Sequence, residues 1–375
     1  MILDSDQLQV RDAVREYVQA EVLPHAASWD KTHHFPREAL KGLAALGCYG
    51  ICVPEQYGGA GLNYLSLALV LEEIAAGDGG TSTVISVTNC PVNAILLNFG
   101  NAEQKSKWLA PLAQGQLLGA FCLTEPHVGS DASALKTTAV KAGDGYVING
   151  VKQFITSGKE GDVAIVIAVT DKAAGKKGMS AFLVPTNTPG YTVARLEEKM
   201  GQHSSDTAQI NFDNCRIPAE NLIGQEGEGY KIALGGLEGG RIGIAAQSVG
   251  MARAALDCAI AYAKDRTSFG QSIFSHQAVG FRLADCATQL EAARQLIWHA
   301  ASLRDAGVPC LKEAAMAKLF ASEAAEKICS AAIQTLGGYG YVSDFPVERI
   351  YRDVRVCQIY EGTSDIQKLI IQRSL

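Results

Sequence analysis

The spacing of hydrophobic positions along the chain changes twice. In residues 1–116 apolar residues recur three or four positions apart, a spacing that is typical of amphipathic helices. In residues 117–224 they form short runs rich in β-branched and aromatic residues, which Gly, Asn and Asp separate. In residues 225–375 the helical spacing returns over longer segments. The pattern therefore predicts an N-terminal helical domain, a middle β domain and a C-terminal helical bundle.

Five apolar runs in the middle region predict β-strands. They cover residues 118–123, 145–148, 163–170, 180–184 and 208–212. The runs follow one another without long helical patterns between them, whereas parallel strands usually need such connections. We therefore expect a small antiparallel barrel or sandwich, and a chain that is mainly α with a central β domain.

Three long helical patterns predict the bundle. They cover about residues 230–265, 276–306 and 311–336. The third pattern ends at Gly337-Gly338, and glycine commonly terminates helices. Ser364 and Gln367 have the S-x-x-Q spacing of a capping box, which predicts a last helix that begins just after Ser364.

Composition and charge argue against several classes of protein. The 375 residues carry a net charge of -6, whereas nucleic-acid binding needs a basic surface. The ten cysteines lack C-x-x-C spacing, which argues against zinc and haem sites and fits a reducing compartment. The N-terminus has no leader pattern, and the longest apolar run, residues 163–169, is too short to span a membrane. We expect a cytoplasmic protein, or one from an organelle matrix if a leader was removed.

The common nucleotide-binding and hydrolytic motifs do not occur in the sequence. We find no G-x-G-x-x-G, Walker A, H-E-x-x-H or G-x-S-x-G pattern. A nucleotide cofactor, if one is bound, must therefore be held by another architecture.

Glu361 is the candidate catalytic residue. It stands in a loop before the last helix, where a carboxylate can simply offset the helix dipole, worth about 0.3–1 kcal/mol. However, Tyr360-Glu-Gly-Thr-Ser364, followed by Ile-Gln, resembles the catalytic-base segment of the acyl-CoA dehydrogenase family. The resemblance implies that Glu361 removes the proton α to a thioester carbonyl while FAD accepts the β hydrogen as hydride. It also implies that the backbone N–H of Glu361 stabilises the enolate.

Two segments of the β domain resemble the parts of that family that line the flavin. Residues 121–131, which alone would indicate only a polar turn, resemble its T-E-P-x-x-G-S-D loop, although His127 stands where a small residue is expected. Residues 154–156 resemble its W-I-T segment with Phe in place of Trp, so a ring without an indole N–H would cover the flavin. The resemblance assigns to FAD the residues Phe121, Leu123, Thr124, Ser130, Phe154, Ile155 and Thr156, with Thr156 near flavin N5.

Two further segments of the bundle carry the resemblance. Arg266 and Phe269 with Gln277, and Gln334 with Gly337 and Gly338, resemble parts that complete the FAD site of a neighbouring subunit. A guanidinium suits the pyrophosphate, although Arg266 alone could be a solvated residue at a helix end, and the glycines alone a helix terminus. The resemblance implies a homotetramer of paired dimers. It assigns to FAD also the residues Thr363, Ser364 and Asp365.

The remaining matches concern the acyl-CoA. Glu238-Gly-Gly-Arg241 resembles the family's acidic-x-x-Arg segment near CoA. The resemblance assigns to the substrate the residues Ser130, Glu238, Arg241, Gln247, Tyr360 and Gly362. Gln247 resembles the short-chain branches and would limit the depth of the acyl channel; the alternative is that it faces a polar seam between helices. We therefore expect dehydrogenation of a short, straight or methyl-branched acyl-CoA.

The resemblance covers essentially the whole chain and implies that an electron-transfer flavoprotein reoxidises the FAD. Three alternatives remain. Within the same fold, an acyl-CoA oxidase would pass the electrons to oxygen, and other members process branched or sulfur-bearing thioesters. From a different class, some relatives bind DNA and have little dehydrogenase activity, but the net charge of -6 and the presence of Glu361 count against this alternative.

Overall fold

A computed structural model describes residues 2–375 of the chain. Its N-terminal part is helical, as the spacing predicts. The helices there are α1 Ser5–Glu21, α2 Ala26–Thr32, α3 Arg37–Ala45, α4 Tyr64–Gly77, α5 Gly79–Val87, α6 Ala94–Phe99, α7 Ala102–Gln104 and α8 Ala110–Ala113. Asp4 begins α1 through a capping box with Gln7. The helix α4 is apolar on nearly every side because it packs between α1 and the first bundle helix.

The middle part is a β domain. Its strands are β1 Gly119–Cys122, β2 Thr138–Ala142, β3 Gly145–Thr156, β4 Val163–Val169, β5 Met179–Pro185, β6 Tyr191–Leu196, β7 Thr207–Pro218 and β8 Leu222–Ile223. They form one sheet in the order β6-β7-β3-β2-β4-β5-β8, and β1 pairs with β4. Most neighbours are antiparallel, as expected.

Two pairs depart from the antiparallel expectation. The strand β4 pairs in parallel with both β1 and β2. The chain between β1 and β4 contains the β2–β3 hairpin, which provides the long connection that parallel pairing needs. The strand β4 also separates two cores. Ile165 and Ile167 face the N-terminal helices, while Ala164 and Val166 face the interior of the β domain.

The C-terminal part is built on long helices. The elements are α9 Gly229–Asp265, the short hairpin strands β9 Thr267–Ser268 and β10 Gln271–Ser272, α10 Gln277–Asp305, α11 Leu311–Leu336, α12 Gly338–Tyr341, α13 Val347–Val354 and α14 Ser364–Gln372. The helix α9 packs against α10 and α11, and also against α4 of the N-terminal part. This contact joins the two helical parts around one apolar core. Among the described helices, none combines the length and apolar character that crossing a bilayer requires.

Candidate active site

Residues 360–364, the candidate catalytic loop, have an unusual backbone. Glu361 has φ of 52° and Gly362 has φ of 93°, so two consecutive residues lie in the left-handed region. A left-handed conformation disfavours a residue with a Cβ, and such strain concentrates at active sites, where surrounding structure must enforce it. Gly362 is required at its position, since a Cβ there would lie 2.7 Å from Nε2 of Gln367.

The start of α14 differs from the predicted capping box. Thr363, rather than Ser364, is the cap, and its hydroxyl accepts from the N–H of Ile366 at 3.3 Å. The prediction placed the cap one residue too late because both residues have hydroxyls. Gln367 does not complete a box but lies fully buried and donates to the carbonyl of Gly362 at 2.8 Å. Its side chain therefore holds the strained loop.

The carboxylate of Glu361 lies over α9. A Cβ on Gly240 would fall 2.0 Å from Oε2 of Glu361, so only glycine leaves room for the carboxylate there. Oε2 is buried and has no hydrogen-bond partner within residues 2–375. Burial raises the pKa of Glu361 to about 7, against the opposing effect of the cations Lys318 and Arg241. A carboxylate with this pKa is a suitable general base at neutral pH.

The backbone N–H of Glu361 is also available. Among the backbone and side-chain hydrogen bonds of residues 2–375, none has this N–H as its donor. The group is therefore free to donate to a ligand oxygen beside the carboxylate, as an enolate-stabilising donor must.

Arg241 and Glu238 point to different partners. Arg241 is buried, burial lowers its pKa, and its Nε donates to Oε1 of Gln367 at 3.2 Å. Glu238 pairs with Arg304 at 3.1 Å. Glu238 and Arg304 also line a cavity of about 500 Å³ between α9, α6 and the end of α10. The two ends of the acidic-x-x-Arg segment thus contact the catalytic loop on one side and an open cavity on the other.

Tyr360 and Gln247 belong to one buried hydrogen-bond network. The hydroxyl of Tyr360 donates to Oε1 of Gln247 at 3.0 Å. Nε2 of Gln247 donates to the carbonyl of Gly79 at 2.9 Å and to Oγ1 of Thr83 at 2.6 Å. Thr83 donates in turn to Gln202 of the β domain at 2.7 Å. Gln247 therefore lies in a polar seam between helices that adjoins the catalytic loop, and a place in this seam is compatible with a role in limiting the acyl channel.

The two predicted flavin segments are joined to each other. The N–H of Gln153 donates to the carbonyl of Thr124 at 2.9 Å, and Nζ of Lys152 donates to the carbonyl of Leu123 at 2.9 Å. Lys152 also pairs with Glu125 at 2.9 Å, and both side chains are almost completely buried. The pKa of Glu125 is lowered because Lys152 and two backbone N–H groups outweigh its burial. This ion pair fixes the turn relative to β3.

The surroundings of these segments suit a flat aromatic ligand. Phe154 has φ of 59° at a break in the β3–β7 register, and its ring is 62% exposed. Thr124 and Thr156 are half-buried. At the catalytic loop, the buried hydroxyl of Ser364 has no partner among the described residues. An exposed aromatic ring, nearby hydroxyls and an unpaired buried oxygen are features that FAD would use, so the residues present fit this cofactor.

The other predicted flavin residues of this part are dispersed along the turn and strands. Phe121 is half-buried and packs on the core that β4 shares with the N-terminal helices. Ile155 is buried, and Ser130 is exposed. His127 lies 3.5 Å from Oε2 of Glu125, which gives the unexpected imidazole a local partner. Asp365 is exposed in the first turn of α14.

The residues predicted to reach a neighbouring subunit lie together at one end of the bundle. Arg266 follows α9, Phe269 is 95% exposed in the β9–β10 turn, and Gln277 begins α10. Tyr262 and Tyr339 pack with ring centroids 6.3 Å apart, which brings the end of α9 beside the residues after α11. The predicted residues at the end of α11 are Gln334, Gly337 and Gly338, all exposed.

This end of the bundle is distant from the catalytic loop of the same chain. Lys318 of α11 contacts the loop, and Gly337 lies nineteen residues further along that helix. At 1.5 Å per residue the separation is about 28 Å. Gly337 has φ of 63° and ends α11 as a helix terminus.

Sequence reasoning missed several residues that hold the site together. They are Lys318, Gln202, Thr83 and the Lys152–Glu125 pair. Glu125 stands inside one recognised segment and Lys152 lies two residues before the other, so the motifs could have indicated both. Lys318 gave no such signal, because a lysine in a helical pattern ordinarily indicates a solvated face.

The helical, β and helical parts follow one another along the chain, a carboxyl of raised pKa stands before α14, and an exposed aromatic ring stands on β3. Together these features indicate an oxidoreductase of the flavoprotein dehydrogenase class. Models of three domains match in order: the acyl-CoA dehydrogenase N-terminal domain over residues 4–116, the middle domain over 120–215 and the C-terminal domain over 227–375. The chain therefore belongs to the acyl-CoA dehydrogenase family and is an FAD-dependent oxidoreductase of the acyl-CoA dehydrogenase type.

Known proteins resemble the chain over nearly its whole length. The human mitochondrial short-chain specific acyl-CoA dehydrogenase is 49% identical over 95% of this chain and 87% of that protein. The structure of butyryl-CoA dehydrogenase from Megasphaera elsdenii superposes with a TM-score of 0.97 at 40% identity, covering 100% and 99% of the two chains. A chain in the structure reported for the electron transferring flavoprotein of Acidaminococcus fermentans superposes with a TM-score of 0.97 at 46% identity, covering 100% and 98%.

Proposed function

We propose that the chain dehydrogenates short-chain acyl-CoA thioesters, straight or methyl-branched, to the trans-2-enoyl-CoA, with Glu361 as the base. The observation that carries this proposal is the buried, unpaired Oε2 of Glu361 above Gly240, on a carboxyl whose pKa is about 7. Bound FAD supplies the acceptor for the β hydrogen. Glu361 accepts the α proton at its carboxylate, and its free N–H donates to the thioester oxygen as negative charge develops there.

Phe154, Thr156, Leu123 and Thr124 would hold the flavin ring, and the unpaired hydroxyl of Ser364 would bind the cofactor from the catalytic loop. Phe154 offers an apolar face, and the Lys152–Glu125 pair fixes the turn that carries the other contacts. These side chains position the acceptor and exclude water, because a hydride transfer needs a dry and ordered site.

The short-chain preference follows from the polar seam below the catalytic loop. The amide of Gln247 is fully buried and bonded on both its nitrogen and its oxygen, so the side chain is held rigidly. A long alkyl chain that displaced it would break hydrogen bonds worth about 1–3 kcal/mol for each buried group left unpaired. We take the seam as the fixed polar end of the acyl channel. The similarity to short-chain specific and butyryl-CoA dehydrogenases supports the same preference.

We further propose that the enzyme is a cytoplasmic homotetramer of paired dimers that passes electrons to an electron-transfer flavoprotein. The support for a subunit interface is the exposed group at the end of the bundle. Phe269 is 95% exposed and Tyr341 is 86% exposed there, which is unusual for aromatic side chains unless a partner covers them. Arg266 beside them would pair with the pyrophosphate of a neighbour's FAD.

The test is a substrate panel with the purified holoenzyme. We expect kcat/KM to be greatest for butyryl- or 2-methylbutyryl-CoA and to fall for octanoyl- and palmitoyl-CoA, with an artificial acceptor or an electron-transfer flavoprotein. Gln247→Gly and Gln247→Ala should both shift the preference towards longer chains. A parent preference for octanoyl- or palmitoyl-CoA would contradict the proposal. Rapid oxygen consumption without an added acceptor would indicate an oxidase instead.

A further inference from the structure

Lys318 is a buried lysine that lies under the catalytic loop. Its side chain is completely inaccessible to solvent, and its Nζ donates to the carbonyl of Gly362 at 2.7 Å. Burying an ammonium is expensive, so a lysine in such a place must have a compensating role. Neither the motif of the catalytic loop nor the flavin segments include this residue.

The carbonyl of Gly362 already has another donor. Nε2 of Gln367 donates to it at 2.8 Å, and Arg241 holds Oε1 of the same amide at 3.2 Å. The neutral amide alone would satisfy the carbonyl at a much lower desolvation cost. The presence of Lys318 as a second donor therefore indicates that its charge, and not only its hydrogen bond, is used.

We propose that Lys318 is a positioning residue for the reaction: its ammonium holds the carbonyl of Gly362, and with it the strained Glu361–Gly362 segment, so that the carboxylate lies over Gly240. The loop is strained at both residues, and strain persists only where the surroundings enforce it. The α11 helix provides a rigid base for that restraint, because it is 26 residues long and packs on α9, α10 and α14.

The charges around the loop indicate that Lys318 also influences the proton transfer to Glu361. The groups that face Glu361 are Lys318 of α11, Arg241 of α9 and the thiol of Cys90, and the two cations lower the pKa of Glu361 against the effect of burial. The groups that face Lys318 are Glu361, Arg241 and the thiol of Cys357, and burial lowers its pKa to about 8. Two cations beside one carboxylate leave a positive balance, which also favours the negative charge that develops on the thioester oxygen.

The inference rests on the proposed function, because it takes Glu361 as the base. Its test compares Lys318→Met, which keeps the length of the side chain, with Lys199→Met. Lys199 is a matched control: it also donates to a backbone carbonyl, that of Ser205 at 2.6 Å, and burial also lowers its pKa, but it lies in the β domain. If Lys318→Met does not fold, Lys318→Gln serves, since it also removes the charge.

The measurements are kcat and KM for butyryl-CoA from pH 5.5 to 9.5, with FAD content and Tm for each holoenzyme. In Lys318→Met we expect kcat to fall about tenfold or more, KM to change less, and the pKa in the kcat/KM profile to rise by about one unit or more. Lys199→Met should leave the pKa of the profile unchanged. A profile for Lys318→Met and Lys318→Gln that keeps the parent's pKa would overturn the inference, even if Tm falls.

Failure of the Lys318 inference can be distinguished from failure of the proposed function. If the parent does not oxidise butyryl-CoA, or if Glu361→Gln retains near-normal kcat, the proposed function is wrong and Lys318 has no base to position. If the parent is active and Glu361→Gln is not, an unshifted profile counts against Lys318 alone.

Discussion

Gly240→Ala adds one methyl group at the point where α9 meets the carboxylate of Glu361, the proposed base. The new Cβ would lie 2.0 Å from Oε2 and 2.9 Å from Cδ of Glu361. The helix backbone cannot yield, because α9 packs against α4, α10 and α11. The carboxylate, at the end of a side chain with rotatable bonds, must therefore move.

The displacement can be estimated from the contact distances. An ordinary contact begins near 3.4 Å, so Oε2 must move by about 1.4 Å. A misplacement of about 1 Å in a reacting group costs roughly 100-fold in rate, which corresponds to about 2.7 kcal/mol in the barrier. Stability should not fall in parallel, since replacing a helical glycine by alanine stabilises by about 0.5–1 kcal/mol where the methyl fits or the neighbour yields.

The assay is kcat for butyryl-CoA with an artificial acceptor, together with FAD content and Tm. Gly235→Ala is the matched control, because it lies on the same helix and its Cβ would meet only the ring of Phe99, at an ordinary 3.6 Å. We expect Gly240→Ala to lose about two orders of magnitude in kcat with a normal Tm. Gly235→Ala should keep kcat and gain slightly in Tm.

A Gly240→Ala enzyme with kcat within about threefold of the parent would refute this reasoning. That result would mean that the reactive carboxylate does not occupy the position above Gly240, and that Glu361 moves before the proton is transferred. An equal loss in both alanine variants would instead indicate a general disturbance of α9.

Three further predictions concern the loop and the subunit interface. Glu361→Gln should keep FAD and acyl-CoA binding but lose about 10²–10⁴ in kcat. Burial raises the pKa of Glu361 from 4.5 to about 7, so ionisation of Glu361 destabilises the folded state as pH rises through that interval. The Tm of the variant should therefore exceed the parent's at pH 8 and match it at pH 4. Arg266→Ala should lower the flavin absorbance per protein, and a stable monomer with full FAD would count against the shared site. Thr363→Ala should lower the free energy of unfolding of the FAD-free protein by about 1 kcal/mol, because it removes the cap of α14. Ser364→Ala removes an unpaired hydroxyl and should change this free energy little. If denaturant titrations gave the larger loss for Ser364→Ala, Ser364 would be the cap after all.

The fold was predictable where apolar periodicity is strong. The bounds predicted for α11 from its spacing, 311–336, are those observed, because its apolar face packs on α9 along its length. Five strands were missed, of which β8, β9 and β10 have only two residues each and β2 and β6 are longer. In β6, residues 191–196, no side chain is fully buried, and β2, residues 138–142, buries only Ala139, so neither presents an apolar run. An exposed segment becomes a strand because it pairs with its neighbours in the sheet, and a local sequence pattern carries no information on that pairing.

The residues of the candidate site also fall into two groups, those that a local sequence pattern indicates and those that it does not. The prediction of Glu361 as the base rests on one short segment with a recognisable sequence. The residues that restrain it come from elsewhere: Lys318 precedes the loop by 44 positions and Gln247 precedes its partner Tyr360 by 113. Their roles depend on which helices meet, and this is settled by packing of the whole bundle and not by local sequence.

The residues that restrain Glu361 lie far from it in the sequence for a physical reason. A left-handed glutamate does not hold its conformation by local preference, so the energy that enforces it must come from contacts with rigid elements. Here α11 supplies Lys318, α14 supplies Gln367, and α9 supplies both Arg241 and the space at Gly240. The position of the base is therefore a property of three packed helices. A substitution that alters their packing should therefore change the pKa and the position of the Glu361 carboxylate before it unfolds the helices, because the strained conformation depends on their contacts.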